Sequence, residues 1–252
     1  MTAAGVLLAA VGGLAIGSFL NVVVWRLPRH ESLLHPGSHC PGCDAPIKPY
    51  DNIPVVSWLI LRGRCRHCGE PISIRYPLTE LATAALYVAV VIARDDTAGI
   101  ALGLALVTIL IPVAQIDYDH QIIPNVLMII GAIAALAITI AFDHDFIKEQ
   151  LIAGAAAGGF FFVIAFLAPR GMGMGDVKLA GVLGLFLGRA VGPAVLIAFV
   201  SGALVGVAIM MRKGVAAGRK TRVPFGVFLA LGGVIALFVG DSLANHYADK
   251  FH

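Results

Sequence analysis

The chain has 252 residues, of which 59% are hydrophobic and only 13% charged, and its net charge is +3. A water-soluble domain is typically about a quarter charged, so this composition excludes a soluble globular protein and makes lipid the solvent for most of the chain. The mild positive charge gives no ground for a nucleic-acid partner; where the charges fall matters more.

Apolar runs occur at roughly 3–25, 78–93, 98–116, 122–141, 149–168, 177–188, 191–211 and 223–243. A membrane helix needs about 20 predominantly apolar residues, and each run is a candidate. The first has no basic residue ahead of it and Arg26 and Arg29 behind it. That pattern predicts a retained anchor with its N-terminus outside, not a cleaved secretory signal. The run at 177–188 is short, and spans only if helix continues through its flanking glycines or the bilayer thins. The expectation is an all-α polytopic membrane protein of about eight transmembrane helices, with seven spans plus one re-entrant segment as the alternative.

Lysine and arginine choose between them. With the N-terminus outside and eight spans, the inner segments are 26–77, 117–121, 169–178 and 212–222, and they carry fourteen of the eighteen basic residues. Arg94, Lys148, Arg189 and Lys250 fall outside. This is a strong positive-inside bias, and a seven-span threading would put "RKGVAAGRKTR" on the wrong side. The expected organisation is a first transmembrane helix at 1–25, a cytoplasmic domain at 26–77, a catalytic helical bundle at 78–243 and a short tail at 244–252. Small-residue stretches such as "GAAAGG" and "LALGGV" fit close helix packing and say nothing of activity.

The polar interval holds all four cysteines, as "CPGCDAPIKPYDNIPVVSWLILRGRCRHC" from Cys40 to Cys68. Two C-x2-C pairs, Cys40/Cys43 and Cys65/Cys68, lie in echoing contexts, "CPGCDAPI" and "CRHCGEPI". Each reads as a knuckle presenting two thiolates, and together they make the four-sulfur set of a structural Zn²⁺ site. Disulfides need an oxidising compartment, which the charge rule denies this loop. No βαβ pattern supports redox chemistry. His35, His39 and His67 read as loop histidines. The linking "IPVVSWLIL" (53–61) reads as an apolar strand or a short amphipathic segment.

Carboxylates at the edge of hydrocarbon are costly and are functional candidates by default. Glu80 opens the second run, where an acid also suits the first helical turn. Asp117 ends the third run in "IDYDHQIIPN", and Asp176 precedes the sixth in "GMGMGD". The eight-span threading sets both at one membrane depth on the cytoplasmic side. If their helices touch, the carboxylates form a pair that cannot easily be doubly ionised and can activate a water between them. Asp119, two residues on, points elsewhere on a continuing helix. Gly171, Gly173 and Gly175 either admit a close backbone approach or clear the start of a helix. An aspartate there is also a good helix cap. Lys178 is either a headgroup anchor or a charge partner for the site.

With these residues in view the chain resembles the type IV prepilin peptidases, the bifunctional leader peptidase/N-methyltransferases. "GSFLNVVVWRLP" (17–28) resembles the family's N-terminal signature, and the two C-x2-C pairs its cytoplasmic zinc module. "ISIRYPLTE" (72–80) follows as in the family. "IDYDHQIIPN" (116–125) and "GMGD" (173–176) match the two catalytic motifs of its GxGD aspartyl protease centre. The resemblance implies a catalytic dyad of Asp117 and Asp176. It implies zinc on Cys40, Cys43, Cys65 and Cys68. It also implies prepilin or pseudopilin substrates with a basic leader, cleaved at the cytoplasmic face of the bacterial inner membrane. It further implies S-adenosylmethionine as methyl donor, with Gly63 and Arg64 of "LRGRC" tied to methyl transfer. Two rivals stand beside this. One is a peptidase without methyl transfer, since the chain shows no glycine-rich strand–helix nucleotide signature. The other is a proton-coupled transporter, which would place its acids near the bilayer midplane.

Overall fold

The computed structural model describes residues 2–168, 172–214 and 223–248. Gly171 and most of "RKGVAAGRKTR" lie outside these residues. The regular secondary structure of the described residues is helical apart from two isolated bridges, His39 with Pro46 and Arg64 with Pro71. It forms two compact units, one ending at Asp95 and the other beginning at Asp96.

The first unit contains α1 (Ala3–Arg26), α2 (Val56–Ile60) and α3 (Arg75–Ala93). Thr2 caps α1 by accepting the Gly5 N–H at 3.3 Å. Helices α1 and α3 meet backbone to backbone, because a Cβ at Gly13 would lie 2.5 Å from the Ala84 Cα. Such contacts between small residues hold helices together where burial in lipid gives no hydrophobic drive. The expected segment at 53–61 resolves into the short α2, with no strand.

The second unit contains α4 (Thr97–His120), α5 (Asn125–Phe142), α6 (Ile147–Leu167), α7 (Met174–Leu187), α8 (Val191–Lys213) and α9 (Phe225–Ala248). Asp96 caps α4 through the Gly99 N–H. Gln121, at φ 56°, ends it in the left-handed region. Pro124 then starts α5, a position where its missing N–H costs nothing. Leu106, Leu110 and Ile116 of α4, Leu179 and Leu183 of α7, Leu229 of α9 and Phe161 of α6 are fully buried and make the core. Helix α7 lies tightly on α6, where a Cβ at Gly184 would fall 2.6 Å from the Gly154 Cα.

Among the described residues, six helical segments are long and apolar enough to cross a membrane: Ala3–Arg29, Arg75–Ala93, Thr97–His120, Asn125–Phe142, His144–Leu167 and Met174–Lys213. Phe225–Gly240 is a shorter apolar helix among the described residues. The last of the six is two helices. Between α7 and α8 the chain turns through Gly188 at φ +53°, where a side chain would meet Glu149 and the Phe146 ring. Helix α7 has 14 residues, about 21 Å at the usual rise per residue, against a hydrocarbon core of about 30 Å. The shortness expected at 177–188 is therefore real, although the helix starts three residues earlier.

Candidate active site and metal centre

In the first unit each C-x2-C pair sits on a tight turn, and the two turns are built alike. The Asp44 N–H donates to the Cys40 carbonyl (2.8 Å) and the Gly69 N–H to the Cys65 carbonyl (3.0 Å). The Cys40 N–H donates to Ala45 and the Cys65 N–H to Glu70. Asp44 and Gly69 occupy the same place in the two turns, both with positive φ. The echo in the sequence is thus an echo in backbone geometry.

The four sulfurs converge. Cys40 Sγ lies 3.7 Å from Cys68 Sγ and Cys43 Sγ 4.0 Å from Cys65 Sγ, and all ligand atoms fall within 4.8 Å of one another. A tetrahedron of sulfurs at the usual zinc–thiolate distance has edges of about 3.8 Å, so the set fits a metal ion of that kind. The histidines stay out of it: His39 turns to the Gly37 carbonyl and to Asp44.

The thiols are already unequal. The Cys68 and His67 amides donate to the Cys65 sulfur and lower its pKa to about 6. The Glu70 amide opposes a rise at Cys68, but loss of hydration and the neighbouring thiols push it up to about 12. Cys43 is raised as well: the Ala45 amide and Cys68 lower it, but loss of hydration and the Cys40 and Cys65 thiols outweigh them. Near neutral pH, Cys65 therefore meets a metal as a thiolate while Cys43 and Cys68 must first lose protons. Metal uptake at pH 7 is expected to release at least the protons of Cys43 and Cys68. Calorimetry in buffers of different ionisation enthalpy would check this, and proton-neutral uptake would contradict it.

Gly63 and Arg64 stand just ahead of the second knuckle. Gly63 has φ +66°, and a Cβ there would come within 2.9 Å of the Trp58 ring. Trp58 in turn donates its indole N–H to the Ile72 carbonyl at 3.0 Å. Gly63 is required by this turn whatever else it does. Beside the knuckles Arg66 makes a two-pronged bond to Asp51 and holds its pKa below the ordinary carboxylate range.

Glu80 is not a first-turn acid. Helix α3 begins at Arg75, and Glu80 is 7% exposed with its carboxylate accepting the Val55 N–H at 2.7 Å.

In the second unit Asp117 lies in the last turn of α4 and is 5% exposed. Its Oδ2 is buried and has no hydrogen-bond partner among the described residues. The amides of Gly226 and Val227, at the start of α9, face this carboxylate. A Cβ on Gly226 would fall 2.7 Å from Asp117 Oδ2. Asp176 is the third residue of α7. It accepts the N–H of Gly173, the residue capping that helix, at 3.2 Å, and lies close enough to Asp117 for their charges to interact. The cap is therefore Gly173 and not Asp176, whose carboxylate reaches back over the helix start.

Ile123 packs against glycines next to both acids. Its side chain lies against Gly175, where a Cβ would be 3.0 Å from the Ile123 Cβ, and against Gly226. Gly175 thus serves a close approach of the 121–124 loop. Lys178 donates to Asn125 Oδ1 at 2.7 Å and so ties the start of α7 to the start of α5. Asp119 is exposed. Sequence reasoning found both acids and missed Ile123 and Gly226. "VPFGV" carries only one hint, a glycine at the start of an apolar run.

Two family models match the chain: the bacterial peptidase A24 N-terminal domain over residues 11–94, and the type IV leader peptidase family over residues 104–207. Among curated relatives, the prepilin leader peptidase/N-methyltransferase of Aeromonas hydrophila is 36% identical, over 94% of this chain and 92% of its own length. The protein of that name from Legionella pneumophila is 34% identical, over 93% and 91%. That of Myxococcus xanthus is 40% identical over 80% of this chain, which spans 62% of its length. No solved structure matches the chain.

Proposed function

The chain belongs to the type IV leader peptidase family, and from that premise we propose that it removes the leader from prepilins and methylates the N-terminus so exposed. The observation that carries the peptidase half is that Asp117 of α4 and Asp176 of α7 lie close enough for their charges to interact, Asp117 with a buried oxygen that has no hydrogen-bond partner among the described residues. Two such groups share one proton. The ionised carboxylate takes a proton from water as the water oxygen attacks the scissile carbonyl, and the protonated one donates to the carbonyl oxygen. The peptide C–N bond then breaks and the departing amine receives a proton.

Eight spans, counting α7 and α8 separately and including α9, put the four-cysteine module and both acids on the cytoplasmic face of the inner membrane. The charge asymmetry supports this threading. It also keeps the acids at span ends, which disfavours the transporter reading. Four thiolates leave a zinc ion no open position, so its role is to fold the 26–77 module. S-adenosylmethionine supplies the methyl group, and Gly63 and Arg64 lie within the module that serves this step. Co-expression with a prepilin tests the whole reading. The pilin N-terminus should lose its leader and gain the mass of one methyl group. An intact leader would overturn the peptidase, and a processed but unmethylated terminus would overturn the transferase alone.

A further inference from the structure

The segment that joins the two knuckles is inverted for a solvated loop, with its polar groups turned inward. The Ser57 hydroxyl donates to the Tyr50 carbonyl (2.9 Å), and the Trp58 indole N–H to Ile72. Ile53, Val56, Leu59 and Ile60 are the exposed side chains, Leu59 at 61% and Ile60 at 70%. No charged residue occurs from Asn52 to Leu61. Arg62 and Arg64 follow, both exposed.

Its neighbours fix how deep this segment lies along the spans. Helices α1 and α3 run antiparallel in close contact. A Cβ at Gly17 would lie 2.7 Å from the Glu80 Cα, and the Asn21 amide donates to the Tyr76 carbonyl at 3.2 Å. Glu80 in turn accepts the Val55 N–H at 2.7 Å. Pro54 borders the same cavity as Ser18, Phe19 and Val22 of α1. Glu80 stands five residues into α3, and Gly17 nine residues short of the end of α1. At the usual rise these are about 7 Å and about 13 Å. From Gly17 to Trp25 α1 carries no charge, and the Arg29 guanidinium lies 3.8 Å over the Trp25 ring. Aromatic and basic side chains of this kind mark the membrane–water boundary. Buried Arg26 bonds the Ser32 (2.9 Å) and Gly37 (3.2 Å) carbonyls, and no ion pair among the described residues includes it. The Glu80 side chain leans toward the start of α3, which sets Val55 a few ångströms inside the boundary.

The backbone suits such a place. Hydrocarbon offers no partner to a free N–H. Ile53 and Val55 precede α2 and have no helical turn to bond within, yet their N–H groups go to the Ser57 hydroxyl (3.0 Å) and to Glu80. Val55, at φ 61° and ψ −50°, forms a γ-turn closed by the Val56 N–H on the Pro54 carbonyl at 2.6 Å. That turn is rare, and the tie to Glu80 is one of the contacts holding it. At the other end the Leu61 and Gly63 N–H groups return to the Ser57 and Trp58 carbonyls, at 2.9 Å each.

We propose that residues 53–60 dip into the lipid leaflet bordering the cysteine module, with Val56, Leu59 and Ile60 among the acyl chains and Arg62 at the phosphates. Interfacial helices bury their apolar face about 5–10 Å into the headgroup and acyl boundary, which is the depth the Glu80 tie imposes. The segment shares its level with Phe19, Leu78 and Leu81, exposed on the two spans. Basic side chains at this height are attracted to anionic headgroups. The module is thus anchored at its middle as well as where α1 and α3 enter it. This inference needs only the membrane spans, and stands apart from the peptidase and transferase readings.

The test is the collision accessibility of a nitroxide side chain at Leu59, and separately at Ile60. It is introduced as an unnatural amino acid, which leaves the four cysteines free for metal. The full-length protein is placed in vesicles of phosphatidylcholine and phosphatidylglycerol. Val11 on α1 and Glu70 on the second knuckle, both exposed, give the lipid and water references. Metal content and elution profile report folding, and either position that keeps both decides. The label should collide more often with oxygen than with a water-soluble nickel chelate, as at Val11, and read a depth of about 5–10 Å. Nickel collisions at the Glu70 level would place the segment in water and overturn the proposal. Protection from both reagents would show a protein cover, from the rest of the chain or a second copy, and overturn it equally.

Discussion

Gly226→Ala is expected to reduce leader cleavage by about 100-fold, the usual consequence of moving a catalytic group by about 1 Å. The new methyl would stand 2.7 Å from Asp117 Oδ2, well inside contact distance, with the Ile123 side chain 3.0 Å away on another side. Asp117 is walled in at 5% exposure. The strain must therefore be relieved by turning the carboxylate or by shifting the start of α9. Either change spoils its alignment with Asp176. Gly206→Ala on α8 is the matched control, because its added Cβ meets nothing within 4 Å. Turnover of a prepilin peptide by the purified proteins checks both. Cleavage by Gly226→Ala within about twofold of wild type would show that the α9 start does not set the dyad's geometry.

The second large effect is expected at Cys65. This thiol is the one already biased toward thiolate, through the Cys68 and His67 amides. Serine cannot reproduce it, since its hydroxyl does not ionise near neutral pH and makes a poor metal ligand. Cys65→Ser should lose its bound zinc. It should also loosen the two knuckles that the metal ties together, because metal binding here is folding free energy. Gly63 and Arg64, tied to methyl transfer, lie in the same module, whereas both acids lie in the other unit. Methylation is therefore expected to fall well below cleavage in this variant. Zinc content and the mass of the processed pilin check the result. Equal loss of the two activities would contradict a division of labour between the units.

How far this was legible in the sequence depends on what each feature needs. Apolar runs mark helices because lipid leaves the backbone no other partner, and the runs at 98–116 and 149–168 became α4 and α6 with only their ends moved. The knuckles were legible because four sulfurs at fixed spacing have few arrangements. Asp117 and Asp176 were legible as candidates because an acid at a span end is costly to keep. What sequence could not show depends on neighbours distant along the chain. Glu80 looked like a first-turn acid, and only the position of α3 and the Val55 N–H gave it a buried role. Gly226 lies more than a hundred residues from Asp117, and no local pattern announces that one needs the other bare. Arg26 looked like an orientation signal at the end of a span, and its burial without a counter-charge appears only in three dimensions.

The dyad is tested most directly by the fate of a co-expressed prepilin beside wild type, Asp117→Asn and Asp176→Asn. Each amide keeps the shape of its side chain and removes the charge the dyad shares. Wild type should yield only the shortened pilin, and both variants only the full-length precursor, with the variant proteins present in the membrane at wild-type levels. Shortened pilin beside either variant would contradict catalysis by these two carboxylates.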